Sequence, residues 1–413
     1  MGGLERGRNL SFLRSLFRKF YEENGALLET PSSMERREFG FLTLDRRIMV
    51  RHLSFEKKDE LLEFIVDRVP SDCYRSAAYY MDPGAPEMSG KGWLGADLVF
   101  DIDADHIPSP CKEEHDRWRC LDCGEEGKGT APDLCPRCGS KRIEERLWFC
   151  SRCLEAAKLE TVKLLDFLTS DFGLTYDELK VYFSGHRGYH VHVESEALRS
   201  LGQDARREIA DYITGLGIDP SMHGLLHLRG EDELSKLLEC SSWAGRLMRG
   251  GYEFILEGSV EDFVRIGLSK YQASALVENR DVVLESWWKG GFLKSVKGLG
   301  RRGWAKVFLE AARREAALID TVVTTDVHRL IRLEGSLHGK TGFRKTRVSG
   351  SLESFDPLKE AIAFNRGEVR IYVEKAPEFR VGDSIYGPYS DEDVELPTAA
   401  AVLLVCKGLA YVV

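Results

Sequence analysis

The sequence has no long apolar run. Its longest, Ala399 to Cys406, is too short to cross a bilayer, so no membrane-spanning helix and no membrane partner are expected. Nor is there a secretory signature: the opening residues, MGGLERGRNL, carry neither an apolar core nor a cleavage site, and the expected location is the cytoplasm. A positive excess is missing too. Lys and Arg number 58 against 67 Asp and Glu, a net charge of −9. That argues against a protein holding duplex DNA by bulk charge. Two local basic runs, Arg344-Lys345-Thr346-Arg347 and Arg301-Arg302, are candidate grooves, with solvated surface as the plainer reading. Internal repeats and low-complexity tracts are also lacking.

What is present is the composition of an ordinary globular protein. The chain has 413 residues, 43% hydrophobic and 30% charged, enough for a large core and two or three subdomains. Leu10, Leu13, Leu16, Phe17, Phe20 and Tyr21 recur at helical spacing and predict an amphipathic helix over 10–21. Residues 37–42 and 46–55 read as two strands around a turn near Asp45, 58–67 as a helix and 77–80 as a strand. Leu154, Ala157, Val162, Leu165 and Leu168 predict one face of a helix over 154–168. Residues 180–183 and 189–193 read as strands joined by the glycine-bounded loop Ser184-Gly185-His186-Arg187-Gly188. Residues 201–315 are helical in pattern, with Trp243, Trp287, Trp288 and Trp304 as apolar anchors. Strands and loops return from Asp320, including 369–373 and 379–386.

Six of the ten cysteines form three Cys-x-x-Cys pairs between positions 120 and 153. Without a secretory signal these read as zinc ligands and not as disulfides. Cys120, Cys123, Cys135 and Cys138, each pair followed by glycine, have the pattern of a zinc ribbon. Cys150 and Cys153 remain, as do Cys111 and His115 at the other end of the insertion. Together they form a second site clipping its stem, with His106 as a rival for His115. Closed four-ligand sites of this kind hold structural Zn²⁺.

Leu98-Val99-Phe100-Asp101-Ile102-Asp103 alternates apolar and acidic residues, as a strand does. Residues i and i+2 share a face roughly 6.5–7 Å apart. Two carboxylates so placed repel each other, and a hard divalent cation between them relieves the cost. The plainer alternative is a strand running into an acidic loop at Asp105. Ser184, Arg187 and His190, on and beside the glycine-bounded loop, supply hydroxyl, guanidinium and imidazole donors suited to phosphate oxygens. A hairpin with polar residues exposed on one side is the competing reading.

These two blocks, with a third comprising Asp320-Thr321-Val322-Val323-Thr324 and His328 to His338, resemble the small, catalytic subunit of archaeal and eukaryotic DNA primase. Arg37-Glu38-Phe39 and Ile48-Met49-Val50-Arg51 match as well, and the likeness spans about residues 35 to 350, closest to archaeal members. The resemblance implies an α/β (α+β) catalytic core with mixed β-sheets flanked by helices, a zinc-binding insertion and a helical subdomain. The core would take 1–110, 154–200 and 316–413, the insertion 111–153 and the helical subdomain 201–315. Asp101, Asp103 and Asp320 would bind two catalytic Mg²⁺ or Mn²⁺ ions, with Asp326 as rival to Asp320. Ser184, His186, Arg187, His190, Arg332, His338 and Arg51 would hold the incoming nucleotide. The family pattern often has Pro where this chain has Glu334, which puts a negative charge near a phosphate site. The expected activity is template-directed synthesis of short RNA (or DNA) primers on single-stranded DNA from nucleoside triphosphates. A primase large subunit would complete a heterodimer and supply part of the hold on template.

Two other readings compete. A metal-dependent nuclease would use the same aspartates but needs no triphosphate grip. A non-catalytic zinc-ribbon adaptor would need neither polar block outside the ribbon.

Overall fold

The computed structural model describes residues 3–148, 150–228, 231–238 and 242–413. Residues 229–230 and 239–241, within the expected helical stretch, and Phe149 lie outside the described residues. The chain divides into two compact units: Met1–Val162, Tyr176–Arg207 and Ile319–Val413 form one, Lys163–Thr175 and Glu208–Leu318 the other.

In the first unit, helix α1 (Gly3–Asn24) buries Phe17, Phe20 and Tyr21, as its apolar spacing requires. The strands β1 (Phe39–Leu42) and β2 (Met49–Leu53) form the expected antiparallel hairpin. Helix α2 (Lys58–Arg68) leads to β3 (Asp72–Ser76), a strand absent from the expected elements, and β4 (Ala78–Tyr80). Next come β5 (Trp93–Ala96) and β6 (Leu98–Asp103), the acidic strand. The cysteine insertion contains the one-turn helix α3 (Lys112–His115) and three short strands, β7 (Arg117–Cys120), β8 (Glu126–Lys128) and β9 (Ile143–Arg146), with β7 central. After helix α4 (Ser151–Asp166) come β10 (Leu179–Phe183) and β11 (Gly188–Val193). Beyond the second unit lie β12 (Leu330–Arg332), β13 (Thr346–Arg347), β14 (Glu368–Ala376), the hairpin β15 (Phe379–Val381) and β16 (Ser384–Tyr386), β17 (Tyr389–Pro397) and β18 (Ala410–Val412).

Two four-stranded sheets position the site. Their strand orders are β12-β3-β1-β2 and β13-β10-β11-β6, and every pairing in them is antiparallel. A core of α1, α2, β1 and β3 side chains, including Phe17, Phe41, Ile65 and Cys73, lies under the first sheet and reaches Leu333 and Val402. The apolar run near the end of the chain forms the helix Thr398–Cys406, which is buried from Ala400 to Val405. The last strand closes on the first helix: Asn9 donates to Ala410 O at 2.9 Å and accepts from Val412 N at 3.0 Å.

The second unit is helical. Its helices include Trp243–Glu257, Val260–Arg265, Lys270–Glu278, Arg280–Trp287 and Gly300–Glu315. Ser259 with Asp262, and Ser269 with Gln272, start two of them by reciprocal capping. Trp287 packs on Phe292 at 4.3 Å between centroids and on Trp304 at 5.9 Å. Arg246 ties Asp166 and Asp171 at 2.6 and 2.7 Å.

Two packing expectations need correction. Trp288 is 42% exposed, because consecutive residues on a helix point about 100° apart and Trp287 already faces the core. Val162 is 38% exposed, and the buried face of α4 runs through Leu154, Ala157, Thr161 and Leu164 and on to Leu168 in the π-helical turn Phe167–Asp171 that follows it. The 3-4-3-4 spacing of that set leaves Val162 one position off the face. Leu164→Ala should therefore cost about 2–5 kcal/mol and Val162→Ala under about 0.5 kcal/mol. Thermal unfolding of the two variants measures this, and equal losses would contradict the assigned face.

Candidate active site

The alternation in β6 turns Asp101 and Asp103 to one face of the second sheet. The neighbouring strand lies in register with it, Gly188 opposite Asp103 and His190 opposite Asp101. This close approach demands glycine: a Cβ on Gly188 would stand 2.0 Å from the carbonyl oxygen of Ile102. His190 Nε2 comes within 3.5 Å of Asp101 Oδ1, while its Nδ1 is buried without a partner among the described residues.

Asp320 joins this pair from a distant part of the chain. Its backbone N–H donates to Asp101 O at 2.8 Å. Its carboxylate caps the one-turn helix Thr321–Thr325, accepting from Val322 N at 2.9 Å and Val323 N at 3.3 Å. Asp326, at the other end of that turn, accepts from His328 N at 2.9 Å, and its charge is felt by Tyr80. Burial, then the charges of Asp103 and Asp320, push Asp101 up to about 7. Burial also raises Asp103, against the opposing pull of Arg187 and His106. An all-oxygen set of crowded carboxylates suits a hard divalent cation, which would reverse these shifts.

Opposite the carboxylates are the donors. Ser184 Oγ accepts from His186 N at 3.3 Å across the loop, whose Gly185 adopts a φ of 87°. His186 stacks on His338 with ring centroids 5.0 Å apart. Burial pushes His186, His190 and His338 well below the ordinary imidazole range, reinforced by Lys407, Lys345 and Arg332 respectively. At neutral pH each ring is therefore neutral and keeps one N–H to donate. Arg332 is buried and bonded to Asp72 Oδ1 at 2.6 Å. Arg187 is buried, ion-paired with Asp105, and donates to Trp148 O at 2.6 Å. Arg51 stands apart from this group. It pairs with Glu38 at 3.0 Å, and no hydrogen bond or ion pair among the described residues links it to the others.

Glu334 puts no net negative charge on the site. Burial alone would raise its pKa, but Arg75 and Lys345 overcome that and hold it well below the carboxylate range. Its oxygens accept from Arg75 at 3.0 and 3.1 Å and from Lys345 at 3.1 Å. Lys345, read as a surface-groove residue, is fully buried, and burial lowers it to about 8. Asp72, Asp116 and Lys407 escaped the sequence reading. Of these, Lys407 carries a visible signal, as the base that ends an apolar run.

Two further clusters lie in the insertion. Cys120, Cys123, Cys135 and Cys138 form one, Cys111, His115, Cys150 and Cys153 the other, each with ligand atoms within 4.8 Å of one another and each able to hold a metal ion. His106 belongs to neither and instead lies near Asp103. Thiolate and imidazole sets of this kind suit Zn²⁺.

A family model described as DNA primase small subunit matches residues 139–349, a span that begins after Asp103 and contains the Ser184–His190 loop and Asp320. Curated relatives extend the likeness over nearly the whole chain. The DNA primase small subunit PriS of Methanothrix thermoacetophila is 35% identical, over 97% of this chain and 98% of the relative. The proteins of that name from Cenarchaeum symbiosum and Archaeoglobus fulgidus are 33% and 34% identical, covering 98% and 96% of this chain and 98% and 97% of each relative.

The raised Asp101 predicts a pH signature. Folded Asp101 holds a proton up to about pH 7, whereas in the unfolded chain it loses that proton near its ordinary value. The folded state thus binds more protons between these values, and stability falls as pH rises through them. The side chain is 26% exposed, so the cost at pH 8 is on the order of 1–2 kcal/mol. In buffer without Mg²⁺ or Mn²⁺, Asp101→Asn should melt higher than the parent at pH 8 and alongside it at pH 4.5. Equal shifts at both pH values would refute the assignment.

Proposed function

The chain belongs to the DNA primase small-subunit family, and from that premise we propose that it is the catalytic subunit that makes short RNA (or DNA) primers on single-stranded DNA. The observation that carries this is the meeting of Asp101, Asp103 and Asp320 at one end of a sheet, with a wall of buried imidazole and guanidinium donors beside them. A nuclease needs the carboxylates but not the donors, and a zinc-ribbon adaptor needs neither.

The reaction is nucleotidyl transfer from a nucleoside triphosphate to a 3′-hydroxyl. Asp101, Asp103 and Asp320 would hold two Mg²⁺ or Mn²⁺ ions, whose charge would activate the hydroxyl and stabilise the departing pyrophosphate. The chain's own residues supply position and electrostatics. Asp320 is the third carboxylate, favoured over Asp326 because its charge acts on Asp101 and that of Asp326 on Tyr80. Ser184, His186, Arg187, His190, Arg332 and His338 grip the phosphates. Neutral histidines donate single N–H bonds, and the two arginines carry the positive charge that spreads over the phosphate oxygens. Asp72 keeps Arg332 in place. Arg51, with 37% of its side chain exposed, reaches a nucleotide only by releasing Glu38. Base choice comes from pairing with the template, and a large subunit contributes to template hold and initiation. Two structural Zn²⁺ ions, one in each insertion cluster, complete the inventory.

Incubation with single-stranded DNA, nucleoside triphosphates and Mg²⁺ or Mn²⁺, with and without a co-expressed large subunit, tests the reading. Short primers are expected; degradation of the DNA without synthesis would replace primase with nuclease. Asp101→Ala and Asp103→Ala should each lower synthesis by at least roughly 10²–10³-fold while leaving the fold intact by circular dichroism. Asp320→Ala should be as severe and Asp326→Ala mild, and the reverse ranking would transfer the third carboxylate to Asp326. Elemental analysis should return two zinc ions per chain; one ion would remove either ribbon or stem from the scheme.

A further inference from the structure

The stem cluster and the nucleotide grip share a carboxylate to which neither reading assigns a role. Asp116 directly follows the cluster residue His115, and it is 1% exposed. Its Oδ1 is 2.9 Å from His115 Nδ1, accepts from Trp148 N at 2.9 Å and lies 3.5 Å from Arg187 Nη1. The His115 Nε2 edge faces the cluster, 3.3 Å from Cys153 Sγ. The Trp148 peptide completes the arrangement, its N–H on Asp116 and its carbonyl accepting from Arg187 Nη1 at 2.6 Å.

We propose that Asp116 is a positioning residue: through it the Cys111, His115, Cys150 and Cys153 cluster sets the place of the Arg187 guanidinium beside Asp103 and the incoming phosphates. This rests on the reading of Arg187 as a phosphate ligand. A metal ligand histidine is oriented by the acceptor on its other nitrogen, and here that acceptor also faces the arginine. The guanidinium is held along two directions. Nη1 is tied to the stem through Asp116 and Trp148, and Nη2 is paired with Asp105 beyond the end of β6. Nε is buried and has no partner among the described residues, so it is the donor left for a ligand.

A second strut follows the same route. Lys407 donates to Leu147 O at 3.2 Å and approaches His186 Nε2 at 3.0 Å. Consecutive carbonyls of the stem's closing segment, those of Leu147 and Trp148, thus hold Lys407, which bears on His186, and Arg187 itself. Without Asp116, Arg187 keeps its attraction to Asp103 and loses the opposing carboxylate. Asp105 would still hold Nη2, leaving the guanidinium free to turn about that one contact and lose its set position.

The test uses the full chain loaded with zinc and measures ATP affinity by calorimetry in Mg²⁺ without template, alongside zinc content and melting temperature. Asp116→Asn keeps an acceptor for His115 and Trp148 and removes the charge that faces Arg187. It should weaken ATP binding roughly ten- to hundredfold and raise the KM for nucleotide more than it lowers kcat. Asp122→Asn, on the ribbon surface beside Arg142, should bind ATP as the parent does. Parental affinity in Asp116→Asn would overturn the proposal, whatever its zinc content. If Asp116→Asn does not fold, His115→Cys keeps four zinc ligands while cutting the link to Asp116. Weakened ATP binding there supports the proposal and parental affinity overturns it. A parent chain that binds no ATP would overturn the phosphate-grip reading as well as this one, which separates the two failures.

Discussion

Glu334 and Asp97 sit among three cations where water cannot reach, and the two sheets of the catalytic unit depend on that balance. Arg37 pairs with Asp97 at 2.7 Å, Arg75 bridges Asp97 at 3.2 Å and Glu334 at 3.0 Å, and Lys345 reaches Glu334 at 3.1 Å. His192 fills the remaining corner, within 3.1 Å of Lys345 and 3.0 Å of Arg75. These groups come from the start of β1, from β3, the entry to β6, β11, the turn after β12 and the entry to β13. Breaking such a cluster by removing one partner strands a buried charge, at about 3–5 kcal/mol. The cluster has three cations and two anions, and Lys345 is close enough to lower the pKa of Asp101. The network that joins the sheets therefore also sets a positive field beneath the carboxylates.

This accounts for how a chain with a net charge of −9 can offer the triphosphate site proposed above. Charge at the surface is screened within about 10 Å at ordinary ionic strength, whereas buried charge is screened far less. Lys345, Arg187 and Arg332 are all buried; the two arginines belong to the donor wall and Lys345 bears on it through His190. Overall charge is a poor guide where the relevant cations are internal.

Local periodicity made some of the architecture readable and left the rest hidden. Asp101 and Asp103 were legible because a strand repeats every second residue and both positions lie in one short window. The cysteine pairs were legible because Cys-x-x-Cys needs only a turn. Strands β7, β8 and β9 were not: RWRC alternates over only four residues, EGK has no apolar side chain, and IEER carries charge on both faces. Val162 shows the limit of period counting, since a one-residue error of phase rotates a side chain out of the core. The partners of Glu334 could not be read at all: Arg75 lies 259 positions away, and only the folded chain brings them together. Asp116 escaped for the same reason, its partners Trp148 and Arg187 being remote in sequence.

The closure of the last strand on the first helix, through the two hydrogen bonds of Asn9, bears on the order in which the protein comes into being. Synthesis proceeds from the N-terminus, but α1 cannot find its β18 partner until residue 412 has left the ribosome. Lys407, which bears on His186, arrives only just before it. The uninterrupted stretch Glu208–Leu318 has most of its partners near in sequence and can condense while the remainder is still being made. The first unit is therefore closed by a strand made long after its opening helix, and the base that bears on the Ser184–His190 loop arrives with that closure.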